Sequence, residues 1–452
     1  MTAAQTLLGG PSEPAGVLLR DVRVLDPREQ LDDRLDVRIS AGRIAELADR
    51  GTLTGAPGED TIDGDGRLLL VPAFFDPHVH LRTPGQEHKE DIESGTRAAA
   101  AGGYCGVIAM PNTAPTLDSV SVLESVQEVA RRDAHVPVGF LAAVTLGLES
   151  EQLTDMAALR RAGVLGFTND GRPVATAGTL LGAIERQHDC GGVLALHEED
   201  RSLSRGGAMN EGSLSRELGL PGIPTIAEST MVARDAQVAA YAHGRLHFMH
   251  LSAAASVEAV AEAKARGAAV SAEVSPHHLL LTEEDVRGLD TSMKMHPPLT
   301  SEQDRQALIE GLRAGTIDCI ATDHAPHSPA EKAVPFAQAP MGTTGLETAF
   351  AALHTGLVLP GTIELSILIE RMTAGAELFG LPAPRIAPEA PANLTLIDPT
   401  ARWVAGENGW QSRSENCCFT GRHMTGRVLM TIAAGGLAHR DTALAPAQEA
   451  SV

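Results

Sequence analysis

From residue 68 onward the chain repeats one pattern eight times: a short apolar run, then a stretch whose apolar side chains recur at helical spacing. The runs occupy residues 68–75, 106–110, 136–143, 164–168, 192–196, 245–249, 269–274 and 316–322. Helices are expected between them at 92–101, 118–132, 176–188, 227–242, 256–266 and 301–314. Strands that alternate with helices form a parallel sheet, because two parallel neighbours can be joined only by a crossover. Eight such units predict an α/β fold, a (β/α)8 TIM-like barrel, with a doubly wound open sheet as the alternative. Aromatic residues make up only 3% of the chain, so the core must be aliphatic.

The flanks read differently. Residues 17–25, 35–39 and 43–47 are short β runs separated by turns, and residues 394–398 and 427–432 are β again after a Pro-rich linker at 381–391. We expect a small discontinuous β domain from 16–67 and 386–440, a barrel over 68–385, and loose tails at 1–15 and 441–452. Asp63-Gly64-Asp65-Gly66 matches a fragment of a calcium loop, but the remaining ligands are missing and the stretch reads as a turn.

A net charge of −22 with scattered basic residues argues against nucleic acid or an anionic membrane as partner. No apolar run approaches 18 residues and the N-terminus has no signal-like pattern, so a cytoplasmic protein is expected. The five cysteines lack a C-x-x-C spacing or a framework pattern and read as reduced thiols.

Metal-ligand side chains recur where the strands stop. His78 and His80 follow the first run, and in an extended segment two imidazoles one residue apart share a face with Asp76 and Arg82. Taken alone, such a pair also fits two half-buried structural histidines. Asp170 follows run four, His197 run five, His250 run six and Asp323 run eight. A barrel gathers the C-terminal ends of its strands on one face, which would turn these scattered positions into one cluster. Four imidazoles and two carboxylates suit a pair of divalent ions, best Zn²⁺, and hence metal-assisted hydrolysis. Many such barrels bridge their ions with a carboxylated lysine. None of the four lysines here lies at the end of strand four, which makes Asp170 the candidate bridge, together with a hydroxide.

Five segments, in order, resemble the motifs of bacterial class I dihydroorotases of the amidohydrolase superfamily. They are Asp76-Pro77-His78-Val79-His80-Leu81-Arg82, Ala109-Met110-Pro111-Asn112-Thr113, Phe167-Thr168-Asn169-Asp170-Gly171, Ala272-Glu273-Val274-Ser275-Pro276-His277-His278, and Ile320-Ala321-Thr322-Asp323-His324-Ala325-Pro326-His327. The resemblance runs from about residue 17 to 437. It implies reversible cyclisation of N-carbamoyl-L-aspartate to L-dihydroorotate, a step of pyrimidine synthesis. It further implies one zinc on His78, His80, Asp170 and Asp323, and a second on Asp170, His197 and His250. A hydroxide between the ions would attack the ring carbonyl, with Asp323 as general base and acid. Arg82 and Asn112 would grip the substrate carboxylate, while His80, His296, His327, Met341 and Gly342 would line the pocket. A homodimer and a complex with aspartate carbamoyltransferase are the partners the resemblance leaves open.

The chain departs from that family pattern in three places: Thr83 stands where Glu is usual, Gly106 where Thr is common, and His296 and Thr300 where Asn and Arg frame the Pro-Pro-Leu motif. The rivals are a hydantoin- or allantoin-type cyclic amidase, against which the Asp170 pattern speaks, and a non-catalytic scaffold for a carbamoyltransferase, which would be expected to lose metal ligands. His277 and His278 are expected to orient the site through hydrogen bonds.

Overall fold

A computed structural model describes residues 7–444; the tail expectations for 1–6 and 445–452 lie outside the described residues. Eight parallel strands form one sheet in chain order: Phe74–Val79, Tyr104–Ala109, Val138–Ala143, Gly166–Thr168, Val193–Leu196, Leu246–Phe248, Val270–Val274 and Cys319–Ile320. Val79 pairs in parallel with His324, just past the eighth strand, and the His80 amide donates to the His324 carbonyl at 2.9 Å. That contact closes the sheet into a (β/α)8 barrel. The first three strands are buried at all six positions each, which is why they read as unbroken apolar runs rather than alternating ones.

The crossover helices start and stop where their chemistry dictates. In Ile92–Ala101, Asp91 accepts from the Ser94 amide while the Ser94 hydroxyl covers the Asp91 end, a reciprocal cap. Ser301 and Asp304 do the same for Glu302–Ala314, which buries Leu308, Ile309 and Leu312 and ends at Gly315 with φ 79°. The expected helices left out Met156–Ala162 and several shorter ones, among them Ser213–Leu218 and Ala349–Leu353.

A second sheet carries Leu31–Ser40 beside Val17–Asp26, then Leu69–Pro72, Leu394–Val404, His423–Ala433 and Gly436–Arg440. Both ends of the chain therefore build it. One boundary differs from expectation. Leu69–Pro72, read as the start of the first barrel strand, pairs parallel with Val17–Asp26 and antiparallel with Leu394–Val404, so the chain changes sheets at Ala73. Apolar content is the same on both sides of that residue, and only the hydrogen-bond partners change. Pro77 sits within the first strand, where the pairing to the second strand slips between Asp76 and Val79 and no ladder donor is needed.

The described parts of the flanks are held in place. Leu8 exchanges both backbone hydrogen bonds with Val138, at 3.0 and 2.8 Å, and the Asp441 amide donates to Leu429 at 2.8 Å. The loose-tail reading of residues 7–15 and 441–444 is corrected by these contacts. Between Leu394–Val404 and His423–Ala433 the chain leaves the sheet, and this arm of residues 405–422 lies against the C-terminal rim of the barrel through hydrogen bonds to Glu90, Glu347 and Thr343.

Candidate metal centre and pocket

Because all eight strands are parallel, the residues just past their C-terminal ends meet on one face. His78 lies in the first strand and His80 just past it, Asp170 two residues after strand four, His197 one after strand five, His250 two after strand six, and Asp323 three after strand eight. All six are buried. Their ligating atoms fall into two groups that share Asp170. His78 Nε2 is 3.6 Å from Asp170 Oδ1 and 3.4 Å from Asp323 Oδ1, while His80 Nε2 is 3.4 Å from Asp170 Oδ2 and 3.1 Å from Asp323 Oδ1. On the other side, Asp170 Oδ1 lies 3.9 Å from His197 Nδ1 and 3.7 Å from His250 Nε2.

These spacings suit ions. Ligand atoms about 2.0–2.1 Å from a tetrahedral ion lie about 3.3 Å from one another. His78 Nε2 is buried without a hydrogen-bond partner among the described residues, as an imidazole nitrogen aimed at a cation would be. Charge says the same. Burial opposes a proton on His78, yet Glu273, Asp323 and Asp170 together outweigh it and raise its pKa to about 10. A buried cluster with this many carboxylates requires compensating positive charge, and the residues present fit a divalent metal.

The polypeptide is strained at two of these positions and at Arg82 beside them. Arg82, His250 and Asp323 have φ of 56°, 33° and 47°, the left-handed region that side chains other than glycine seldom occupy. Such outliers persist where the surroundings impose them, and here they aim side chains at one point.

Around the cluster stand residues that the sequence did not single out. Glu273, the one acid inside strand seven, lies 2.6 Å from His78 Nδ1 and 3.0 Å from His247 Nε2, so the imidazole hydrogen of His78 is donated to a carboxylate. This fixes the tautomer that frees Nε2. A lone carboxylate in an apolar strand was the available signal. Glu199 sits between His296, at 3.2 Å, and His197 Nε2, at 3.8 Å. His277 and His278 both contact the Ser275 hydroxyl, and His278 donates to Pro297, so they brace the segment carrying His296 and do not touch the ligand atoms.

The expected substrate residues line the same rim. Asn112 uses both ends of its amide: Oδ1 is 2.9 Å from His80 Nδ1, and Nδ2 donates to Asp170 at 2.9 Å. Arg82 donates from Nε to the Pro326 carbonyl at 3.2 Å. His327 Nε2 donates to the Met341 carbonyl at 2.8 Å, which brings Met341 and Gly342 beside it. Burial, then Arg82, Lys332 and Lys89, push the His327 pKa down to about 3, so its ring is neutral. A cleft of about 350 Å³ opens beside Asn112 and Asp170 and runs out over Thr116, Leu148, Glu149 and Arg172; Arg82 and His327 do not line it.

Comparison with known proteins fits this picture. Residues 66–256 match the model of the dihydro-orotase-like family. The dihydroorotase of Syntrophus aciditrophicus (strain SB) is 41% identical over 428 residues, which is 94% of this chain and 99% of that protein. The dihydroorotase of Bacillus subtilis (strain 168) is 44% identical over 407 residues, covering 90% of this chain and 94% of that one. Among solved structures, the L-hydantoinase of Arthrobacter aurescens superposes with a TM-score of 0.82 over 93% of this chain and 95% of its own, at 23% identity, a likeness of fold.

Proposed function

The chain belongs to the dihydroorotase family, and from that premise we propose how its residues divide the work of opening and closing the ring of L-dihydroorotate. It is a cyclic amide hydrolase. In the hydrolytic direction a water oxygen bonds to the ring amide carbonyl carbon, the carbon–nitrogen bond breaks, and N-carbamoyl-L-aspartate leaves with a new carboxyl group that ionises.

His78, His80, Asp170 and Asp323 would hold one Zn²⁺, and Asp170, His197 and His250 a second. Bound there, the ions supply Lewis acidity and a water of lowered pKa. Asp323 takes the proton from the attacking water and gives it to the departing ring nitrogen. The reverse reaction runs the same transfer backwards and releases water. The Asp323 carboxylate, with Oδ1 3.1 Å from His80 Nε2, is placed without reorganisation. Arg82 binds the substrate carboxylate through the part of its guanidinium not used on Pro326, and excludes uncharged rings by leaving a buried cation unpaired. Asn112 holds His80 and Asp170 in register. His296, paired with Glu199, borders the ring on the far side.

The observation that carries this reading is the convergence of Asp323, His80 and Asn112 through Asp170, with Arg82 on the same rim. The test is a ring-opening assay on L-dihydroorotate, with hydantoin and allantoin in parallel and zinc measured on the same sample. Turnover confined to dihydroorotate with two zinc per chain supports the assignment. Turnover of hydantoin alone would overturn it.

A further inference from the structure

The pocket wall after strand eight is made of two stretches, residues 325–327 and 341–344, which meet directly where the Ala325 amide donates to the Thr343 carbonyl at 2.8 Å, and one side chain from the arm of the second sheet ties them further. Asn416 lies on the arm of residues 405–422 and is buried. Its Oδ1 accepts from the His327 amide at 2.9 Å, and its Nδ2 donates to the carbonyls of Ala325 at 3.2 Å and Gly342 at 3.0 Å. Its own carbonyl accepts from the Thr344 amide at 3.1 Å and from the Thr343 hydroxyl at 3.0 Å. One residue thus satisfies five polar groups of a loop pair whose own ladder is the single bridge of His324 to Thr343.

The fit between the two stretches is close. Gly342 has φ 136°, and a Cβ there would come 2.8 Å from Ala325 Cβ and 3.1 Å from His327 Nε2. A shift of either stretch must therefore be felt by the other. The rest of the loop is tied independently: Lys294 Nζ donates to Ala337 and Ala339 at 2.9 and 2.8 Å, and Lys332 Nζ to Pro340 at 2.8 Å. Loss of Asn416 would accordingly loosen the residues around His327 while leaving 337–340 anchored; Gly342 keeps its amide bond to the Lys294 carbonyl at 2.8 Å, and Ala325 keeps its bond to the Thr343 carbonyl at 2.8 Å.

We propose that Asn416 is a positioning residue of the substrate pocket, by which the β sheet at the chain's two ends sets the spacing between His327 and Met341-Gly342. The proposal rests on the reading that these residues border the substrate, and makes the second sheet part of the enzyme's specificity.

The test compares Asn416→Ala and Asn416→Asp with the parent. Asp keeps size and the Oδ1 acceptor but turns a carboxylate oxygen toward two carbonyls. If Asn416 only filled space, Asp would behave as the parent. We expect both variants to raise KM for L-dihydroorotate by about 10-fold or more, with kcat and bound zinc within about 3-fold, since buried groups are left unpaired but the metal ligands are untouched. His327→Ala combined with Asn416→Ala should cost little more than His327→Ala alone, because Asn416 holds the His327 backbone and so acts on substrate through the ring that His327→Ala has already removed. Amide exchange without substrate should show faster exchange at His327 and Thr344 and unchanged exchange at 337–340. Parental KM in the Asp variant, additive losses in the double variant, unchanged exchange at His327, or unfolding of both single variants would each overturn the proposal. A parent that opens a different cyclic amide would overturn only the substrate assignment. The same KM and exchange comparisons, run on that substrate, then decide the role of Asn416.

Discussion

His78 Nδ1 lies 2.6 Å from Oε1 of Glu273, although the two residues come from barrel strands one and seven, which do not pair with each other. The contact crosses the barrel interior and holds the ring of a candidate metal ligand by its rear nitrogen. Replacing Glu273 with Gln removes the anionic acceptor while keeping the volume. Metal affinity should fall about 10- to 100-fold, the range found when such outer partners are changed. Zinc retained after dialysis against a graded chelator measures this, and unchanged retention would reduce Glu273 to a core residue.

Removing the metal should do more than stop turnover. With Asp170, Asp323 and Glu273 buried within one cluster, the empty site carries uncompensated charge. An ion bound about 1,000-fold above its Kd stabilises the folded state by about 4 kcal/mol. For a chain of this length chelation should therefore lower Tm by roughly 4 °C for one ion and roughly 8 °C for two, and added zinc should restore both Tm and ring opening. A chelated protein that melts at the parental temperature would contradict a bound ion.

For Asp323, substitution by Asn is the informative choice. Asn tolerates the left-handed φ of 47° as Asp does, so the backbone has no reason to move. Its amide cannot accept the proton of the attacking water, and kcat should fall by about 10³-fold or more. Circular dichroism should be unchanged. Activity within tenfold of the parent would remove Asp323 from proton transfer.

Arg82→Met keeps the bulk of the stem and deletes the charge. The KM for L-dihydroorotate should rise about 100-fold, against a change of about 5-fold or less for any residual activity on an uncharged cyclic amide, because only the first loses a charge-assisted pair. Equal losses on both would place Arg82 outside the carboxylate site.

Glu347 accepts hydrogen bonds from the Gln411 and Ser412 amides, yet burial raises its pKa to about 7, and Glu90 adds to the effect. The folded state thus binds this proton more tightly than the unfolded chain, whose glutamate titrates near 4.3. Its contribution to stability is fully present below about pH 4.3 and is lost as pH rises through about 7. The fall in Tm between pH 5 and pH 8 should be smaller in Glu347→Gln than in the parent. An identical slope would mean the carboxyl titrates normally.

The barrel strands were legible because each is buried on both faces, so Tyr104–Ala109 and Val138–Ala143 read as uninterrupted apolar runs. The six candidate ligands could be picked out because a polar side chain after such a run has little structural reason to be there. The switch at Ala73 was not legible, since apolar side chains report burial and say nothing about which strand receives the hydrogen bonds. Met156–Ala162 escaped notice because only two of its seven residues are buried. Asn416 left no signal at all: its partners are backbone groups far away in sequence, and an isolated Asn in a loop is unremarkable until the fold brings it beneath His327.

The placement of Leu69–Pro72 between Val17–Asp26 and Leu394–Val404 has a consequence for the nascent chain. While the barrel emerges from the ribosome, that strand has a neighbour on one side only, and its other edge stays open until the C-terminal hairpin is made. Open edges invite pairing with other chains. Asn416 also belongs to that late segment, so an interrupted polypeptide can contain every metal ligand and still lack a finished pocket. Ribosome-bound intermediates that already contain every candidate ligand residue therefore still present an open strand edge, which synthesis of the last strands covers.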